Sequence, residues 1–393
     1  MPFTFFMPAN IIFGSGALDE LGRLPLPGRK ALIVISAGAS MRKLGFLKRV
    51  EDLLHKNSAE SVVYDKIQPN PTRSSIMEAA ALARTKGCDF VVGLGGGSSI
   101  DAAKAIAVMA KNPGDYWDYI SGGSGGGKPA TGGALAIVAI TTTAGTGTEA
   151  DPWTVVTKEE TNEKIGFGNK DTFPVLSIVD PDLMLSVPKA LTAYQGFDAF
   201  FHAAEGYIAN CSNPISDMFA LKSIELLARW LPVAVNDGGN KEARANVALA
   251  NTLSGFVEST SCCTSEHSLE HAMSAFHPKL EHGAGLIMLS RAYFGFFLEK
   301  IDGGLYEAMA RAMGENVEAL PPAQRAAAFL TALEKMIAAC GVDTLKMSDY
   351  GITRAELPAL AKNAFETMGG LFGFDRYKLS FDEVVAIYEK AFG

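Results

Sequence analysis

Between Gly196 and Gly283 the chain sets one carboxylate and several imidazoles at helical spacing. Asp198 and His202 are four residues apart, as are His267 and His271, and His282 stands directly before Gly283. Residues four apart lie about one helical turn from each other and share a face. The chain has six histidines, and all but His55 fall in this segment. Either pair alone would suit an ordinary helix surface with satisfied hydrogen bonds. Together, one carboxylate and three neutral imidazoles make a ligand set for Zn²⁺, Fe²⁺, Co²⁺ or Ni²⁺. His267-Ser-Leu-Glu-His271 also spells H-x-x-E-H, the inverted zinc-peptidase motif, with Glu270 as its general base. That reading leaves Asp198 and His202 unused, as well as the glycine turn described next.

Phe90–Gly93 reads as a buried strand that runs into Leu94-Gly95-Gly96-Gly97-Ser98-Ser99 and then a helix. Glycines there let backbone approach a phosphate, and the first helical turn offers amides and a favourable dipole. The pattern departs from G-x-G-x-x-G, because Ser98 stands where the third glycine would be. It is not a Walker A loop either, since no Gly-Lys-Ser/Thr follows. A second turn of small and hydroxyl residues, Thr141–Glu149, follows another apolar strand, and hydroxyls at a strand's carboxyl end suit a nucleotide.

The elements that must position these residues divide the chain in two. Ala31–Ser36, Ser61–Tyr64, Phe90–Gly93 and Ala134–Ile140 read as strands. They alternate with helices over Lys43–Lys56, Ser74–Lys86 and Ser99–Ala110. That alternation predicts a parallel sheet covered on both faces. From about Pro188 the strand signal fades. Apolar-periodic stretches take over at Tyr194–Ala209, Pro214–Val235, Lys241–Cys262, Leu286–Phe297, Pro322–Ala339 and Arg354–Thr367. The expected fold is therefore an α/β, Rossmann-like nucleotide-binding domain over residues 1–184. A helical, metal-binding catalytic domain over 185–393 completes it. Ser121–Pro129 reads as a flexible surface loop.

Composition narrows the function classes. With 393 residues, 48% of them apolar, the chain can build two cores. A net charge of −8 with scattered Lys and Arg gives no footprint for nucleic acid. The five cysteines are odd in number and include no CxxC pair, so neither a disulfide framework nor a thiolate zinc knot is expected. No apolar run approaches the ~20 residues of a membrane helix, and the opening residues lack a leader pattern. A cytoplasmic protein without membrane or nucleic-acid partners is expected.

Read end to end, the chain resembles the iron-containing (group III) alcohol dehydrogenases. The likeness covers Asn10–Gly22, Pro69–Thr72, Gly95–Lys104 (GGGSSIDAAK), Thr142–Glu149, Val179–Pro181, Ser186–Pro188, Gly196–Tyr207 (GFDAFFHAAEGY) and His267–Gly283. The resemblance implies the dehydroquinate synthase-like, iron-alcohol-dehydrogenase fold. It also implies hydride transfer between a short-chain alcohol or aldehyde and NAD(P), with Fe²⁺ or Zn²⁺ polarising the substrate oxygen. Carried over, the metal ligands fall on Asp198, His202, His267 and His282, and His271 becomes a candidate for proton transfer. The pyrophosphate grip falls on Gly96, Gly97 and Ser98, with Asp101 beside them. Asn70, Thr142, Thr143 and Lys164 match positions around the rest of the cofactor.

Two departures from the family pattern matter. The stretch from His271 to His282 is one residue longer and holds an extra His277, a conceivable substitute for His282. The segment after the first predicted strand, with Ser36, Gly38 and Ser40, lacks the acidic residue that grips a ribose 2′-hydroxyl. Arg42 and Lys43 lie nearby, so NADP(H) is expected over NAD(H). Glycerol or polyol dehydrogenases and hydroxyacid–oxoacid transhydrogenases share the superfamily and stand as alternatives. A homo-oligomer, a dimer or larger, is implied.

Overall fold

The computed structural model describes residues 3–393, which form two compact units. One comprises residues 7–143 and 147–185; the other comprises 186–393 with 144–146 and the N-terminal residues to Phe6.

The first unit is built on a six-stranded sheet. Its elements are β1 (Asn10–Phe13), β2 (Lys30–Ser36), α1 (Ser40–Lys43), α2 (Phe46–Lys56), β3 (Glu60–Ile67), α3 (Arg73–Lys86), β4 (Phe90–Gly95), α4 (Gly97–Lys111), β5 (Ala136–Thr141), β6 (Thr154–Lys158), β7 (Glu163–Phe167) and β8 (Leu176–Val179). The sheet order is β1-β8-β5-β4-β2-β3, and every pairing is parallel. β2 and β4 are buried almost throughout because helices or loops cover both faces, which explains their unbroken apolar runs. The chain steps outward from β2 to β3, then returns to place β4 on the other side of β2. That reversal is a topological switch point, where α/β sheets bind ligands beyond the strands' carboxyl ends. The segments after β2 and β4 flank it. β6 and β7 form a separate antiparallel hairpin that the sequence patterns did not reveal.

The second unit is helical. Its leading helices are α5 (Lys189–Ile208), α6 (Pro214–Asn236), α7 (Lys241–Thr260), α8 (Ser265–Phe276) and α9 (His282–Phe297). Its core is rich in stacked and edge-on aromatic rings, with Phe200 of α5 stacked on Phe329, Phe201 on Phe294 of α9, and Phe197 packed against both α5 rings. This packing holds α5 and α9 together next to the histidines. No helix among the described residues is long and apolar enough to cross a membrane.

Candidate functional site

Three helices supply the metal-ligand candidates. α5 carries Asp198, His202 and Glu205 on one face at i, i+4 and i+7. α8 carries His267, Glu270 and His271, and His282 is the first residue of α9. A glycine fixes where α9 starts: any Cβ at Gly283 would collide with the Tyr194 carbonyl on α5. The bare backbone lets α9 begin against α5, which brings His282 to Asp198.

Asp198 Oδ1 is the hub. It lies 3.5 Å from His202 Nδ1, 3.7 Å from His267 Nε2 and 3.4 Å from His282 Nε2. Donors ~2.0–2.1 Å from a tetrahedral ion sit about 3.3 Å from one another, so these separations fit a cation held between them. Asp198 Oδ1, His202 Nδ1 and His267 Nε2 are buried and have no hydrogen-bond partner among the described residues. Leaving such atoms unsatisfied costs about 1–3 kcal/mol each, and a bound cation removes that cost. The donor set therefore fits a divalent transition metal.

The far nitrogens of two ligand rings are held by carboxylates. His267 Nδ1 is hydrogen-bonded to Glu205, and His282 Nδ1 to Glu270. Glu205 also accepts from the Thr264 amide at 2.9 Å and the Thr264 hydroxyl at 2.8 Å, which locks it in place. Space for Glu270 comes from Gly285, where a Cβ would lie 2.7 Å from the Glu270 Cγ. Carboxylate–histidine pairs of this kind orient metal-binding rings and raise their basicity. Both glutamates escaped the sequence reading as orienting groups, although the i+7 spacing of Glu205 from Asp198 was a usable signal. Glu270, fully buried and bonded to His282, occupies the orienting position rather than that of a peptidase base.

Electrostatics follow from this enclosure. Burial pushes His202 down to about 4, so it is neutral and ready to ligate. Burial would also raise Asp198, but the surrounding imidazoles hold it well below the usual carboxylate range. His267 is raised well above the ordinary imidazole range: burial opposes this, and the Glu205 and Asp198 carboxylates outweigh it.

His271 is buried beside the cluster, its ring centroid 5.3 Å from His282 and 6.4 Å from His267. His277 lies elsewhere. It ends α8, and its Nε2 is 2.7 Å from Glu356 Oε1, so His282 and not His277 joins Asp198.

In the α/β unit the two turns singled out as nucleotide candidates emerge side by side, because Gly95 of β4 is in register with Thr141 of β5. Gly96 caps α4, and Gly97 and Ser98 open its first turn. A Cβ at Gly96 would stand 2.9 Å from Thr143 Oγ1, so this close approach needs glycine. Thr142 follows, its amide 2.9 Å from the Gly95 carbonyl. Ser36 ends β2, and Gly38 and Ser40 are exposed beyond it. Arg42 is paired with Asp65 at 2.6 Å. Asn70 adopts a left-handed φ of 57° in a turn whose next residue, Pro71, accepts from the Thr157 amide. Thr157 is in register with the buried Lys164, so β6 runs between Asn70's turn on one side and Lys164 of β7 on the other. Asp101 lies inside: its carboxylate accepts from the Thr148 hydroxyl at 2.7 Å and the Val155 amide at 2.9 Å.

Comparison with known proteins places this geometry. The model of the iron-containing alcohol dehydrogenases matches residues 8–181, and that of the family's C-terminal part matches residues 192–392. The chain is 32% identical over 365 residues to the NAD-dependent methanol dehydrogenase of Bacillus methanolicus, covering 92% of this chain and 93% of that one. It is 31% identical over 393 residues to the 1,3-propanediol dehydrogenase of Klebsiella pneumoniae, covering 99% of each. A crystal structure of an archaeal halo-thermophilic alcohol dehydrogenase from a Red Sea brine pool superposes with a TM-score of 0.93. It is 35% identical, covering 100% of this chain and 99% of that one. Matched along nearly its whole length by models and relatives alike, the chain belongs to the iron-containing alcohol dehydrogenase family.

Proposed function

We propose that the chain transfers hydride reversibly between a short linear alcohol, or its aldehyde, and NADP(H), with Asp198, His202, His267 and His282 holding an iron or zinc ion. The observation that carries this reading is the convergence of three imidazole nitrogens on Asp198 Oδ1 within 3.4–3.7 Å. When bound, the ion supplies a Lewis acid for the substrate oxygen, and the nicotinamide supplies the hydride chemistry.

The chain's own residues do the rest. With Asp198 as the only carboxylate among the ligands, the centre keeps net positive charge. Glu205 and Glu270 aim the rings of His267 and His282. His271, buried beside His282, relays the hydroxyl proton. Gly96, Gly97 and Ser98 hold the pyrophosphate on the first turn of α4, while Thr142, Thr143, Asn70 and Lys164 surround the remainder. Asp101 positions the turn by tying α4 to Thr148 and Val155.

The preference for NADP(H) rests on the absence of a carboxylate from Ser36 to Ser40. Lys43 is its cation, since Arg42 is engaged by Asp65. The NAD-dependent methanol dehydrogenase argues for the other cofactor, and the 1,3-propanediol relative favours a diol as second substrate class. A cytoplasmic homo-oligomer completes the reading.

The test is the initial rate of aldehyde reduction with NADPH and with NADH, repeated for His271→Ala across pH. Faster NADPH turnover and a lost ionisation limb in the variant are expected. A clear NADH preference would sink the Ser36–Ser40 argument, and an unchanged pH profile would remove the relay.

A further inference from the structure

Cys263 sits in the link between α7 and α8, four residues before His267. The link is fixed at both ends of the cysteine: the Ser261 hydroxyl donates to the Gly206 carbonyl at 2.7 Å, and the Thr264 amide donates to Glu205. A donor atom each from His202, Cys263 and His267 lie within 4.8 Å of one another, and all three residues are buried. His202 Nδ1 and His267 Nε2 have no hydrogen-bond partner among the described residues. A second set, Asp198, His267 and His282, meets the same distance limit and shares His267. Neighbouring Cys262 joins no such cluster among the described residues.

The two sets differ in chemistry. Asp198, His267 and His282 offer oxygen and nitrogen; His202, Cys263 and His267 offer nitrogen and sulfur. Thiolate is a soft ligand that selects thiophilic ions, whereas carboxylate suits harder ones. We propose that Cys263 is a metal donor, and that with His202 and His267 it forms a second, softer seat at this centre for a thiophilic divalent ion such as Cd²⁺. Ligation exchanges the Sγ–H bond for a sulfur–metal bond, and the proton passes to the neighbouring Glu258 carboxylate; the ion drives this step, because burial and Glu258 hold the free Cys263 thiol well above its ordinary range. The identity of the bound ion then decides which donors close around it. Fe²⁺ and Zn²⁺ take the ligands that include the Asp198 carboxylate, and a softer ion such as Cd²⁺ takes the thiolate.

This rests on the metal centre proposed above, yet the two fail separately. Metal-stripped full-length protein is titrated with Co²⁺ and Cd²⁺, following bound metal and the near-ultraviolet sulfur-to-metal charge-transfer absorption. The same titration is run on Cys263→Ser and Cys262→Ser. The band is expected in the wild type and in Cys262→Ser and is expected to vanish in Cys263→Ser. The serine variant should also bind Cd²⁺ at least about tenfold more weakly, the lower bound for losing even an orienting group, with Fe²⁺ affinity unchanged. Bound metal without the band in the wild type overturns the proposal, as does a band that survives Cys263→Ser. If no ion binds at all, the metal centre itself falls and the thiolate seat with it.

Discussion

At the scale of single residues, Asp198 Oδ1 organises the centre, and its three imidazole neighbours come from three different helices. Their identities were legible from spacing and from the family resemblance. The groups that aim them were not. Which nitrogen of a histidine faces inward depends on what its other nitrogen touches, and Glu205 meets His267 only through tertiary packing across 62 residues. The nearness of Cys263 to His202 is likewise a property of the fold that no spacing records. The carboxylate partners give a direct prediction. Glu205→Gln and Glu270→Gln should each lower metal affinity about 10–100-fold, measured by competition with a chelator, with the helical content intact. Affinity unchanged in both would mean that the carboxylates do not set the rings.

Elements were read well where they are long or strongly periodic. β2, β4 and α5–α7 lie close to where the patterns put them. The elements that escaped are short or depend on distant partners. β1 and β8 have four residues each and pair with one another across more than 160 residues of chain. The β6–β7 hairpin turns through Asn162, at a left-handed φ of 52°, in a polar stretch without an Asn-Gly signal. Helix placement at the metal centre turns on Gly283. Gly283→Ala should push α9 off the Tyr194 carbonyl and destabilise the fold by about 1–3 kcal/mol, the usual cost of overpacking. Unfolding in urea would measure this, and metal content should fall with it. A variant with wild-type stability and metal content would show that His282 is placed by other contacts.

At the scale of the whole molecule, each unit carries one part of the proposed site, a glycine turn at a sheet switch point or a histidine cluster on packed helices. Both were foreseen because the chemistry fixes residue types, whereas substrate choice depends on pocket shape that no spacing records. Stability of the helical unit should also depend on pH. Asp375, buried against the Ser265 amide and the Tyr293 hydroxyl, is pushed up to about 7, mainly by burial. A carboxyl raised in the folded state binds its proton more tightly there than in the unfolded chain. Its contribution is therefore complete at low pH and is lost as pH rises between about 4 and about 7. Between pH 5 and 8 this amounts to roughly 2–3 kcal/mol of lost stability. Asp375→Asn should lose correspondingly less over that range in urea unfolding, and equal slopes for both proteins would contradict the assignment.

The most direct measurement strips the protein of metal and follows alcohol-dependent reduction of the nicotinamide before and after adding Fe²⁺ or Zn²⁺. The expected result is no turnover in the stripped protein and recovery in proportion to bound ion, with Asp198→Ala neither binding nor recovering. Full turnover after stripping, or in Asp198→Ala, would contradict the claim that this histidine–aspartate cluster is the working metal centre.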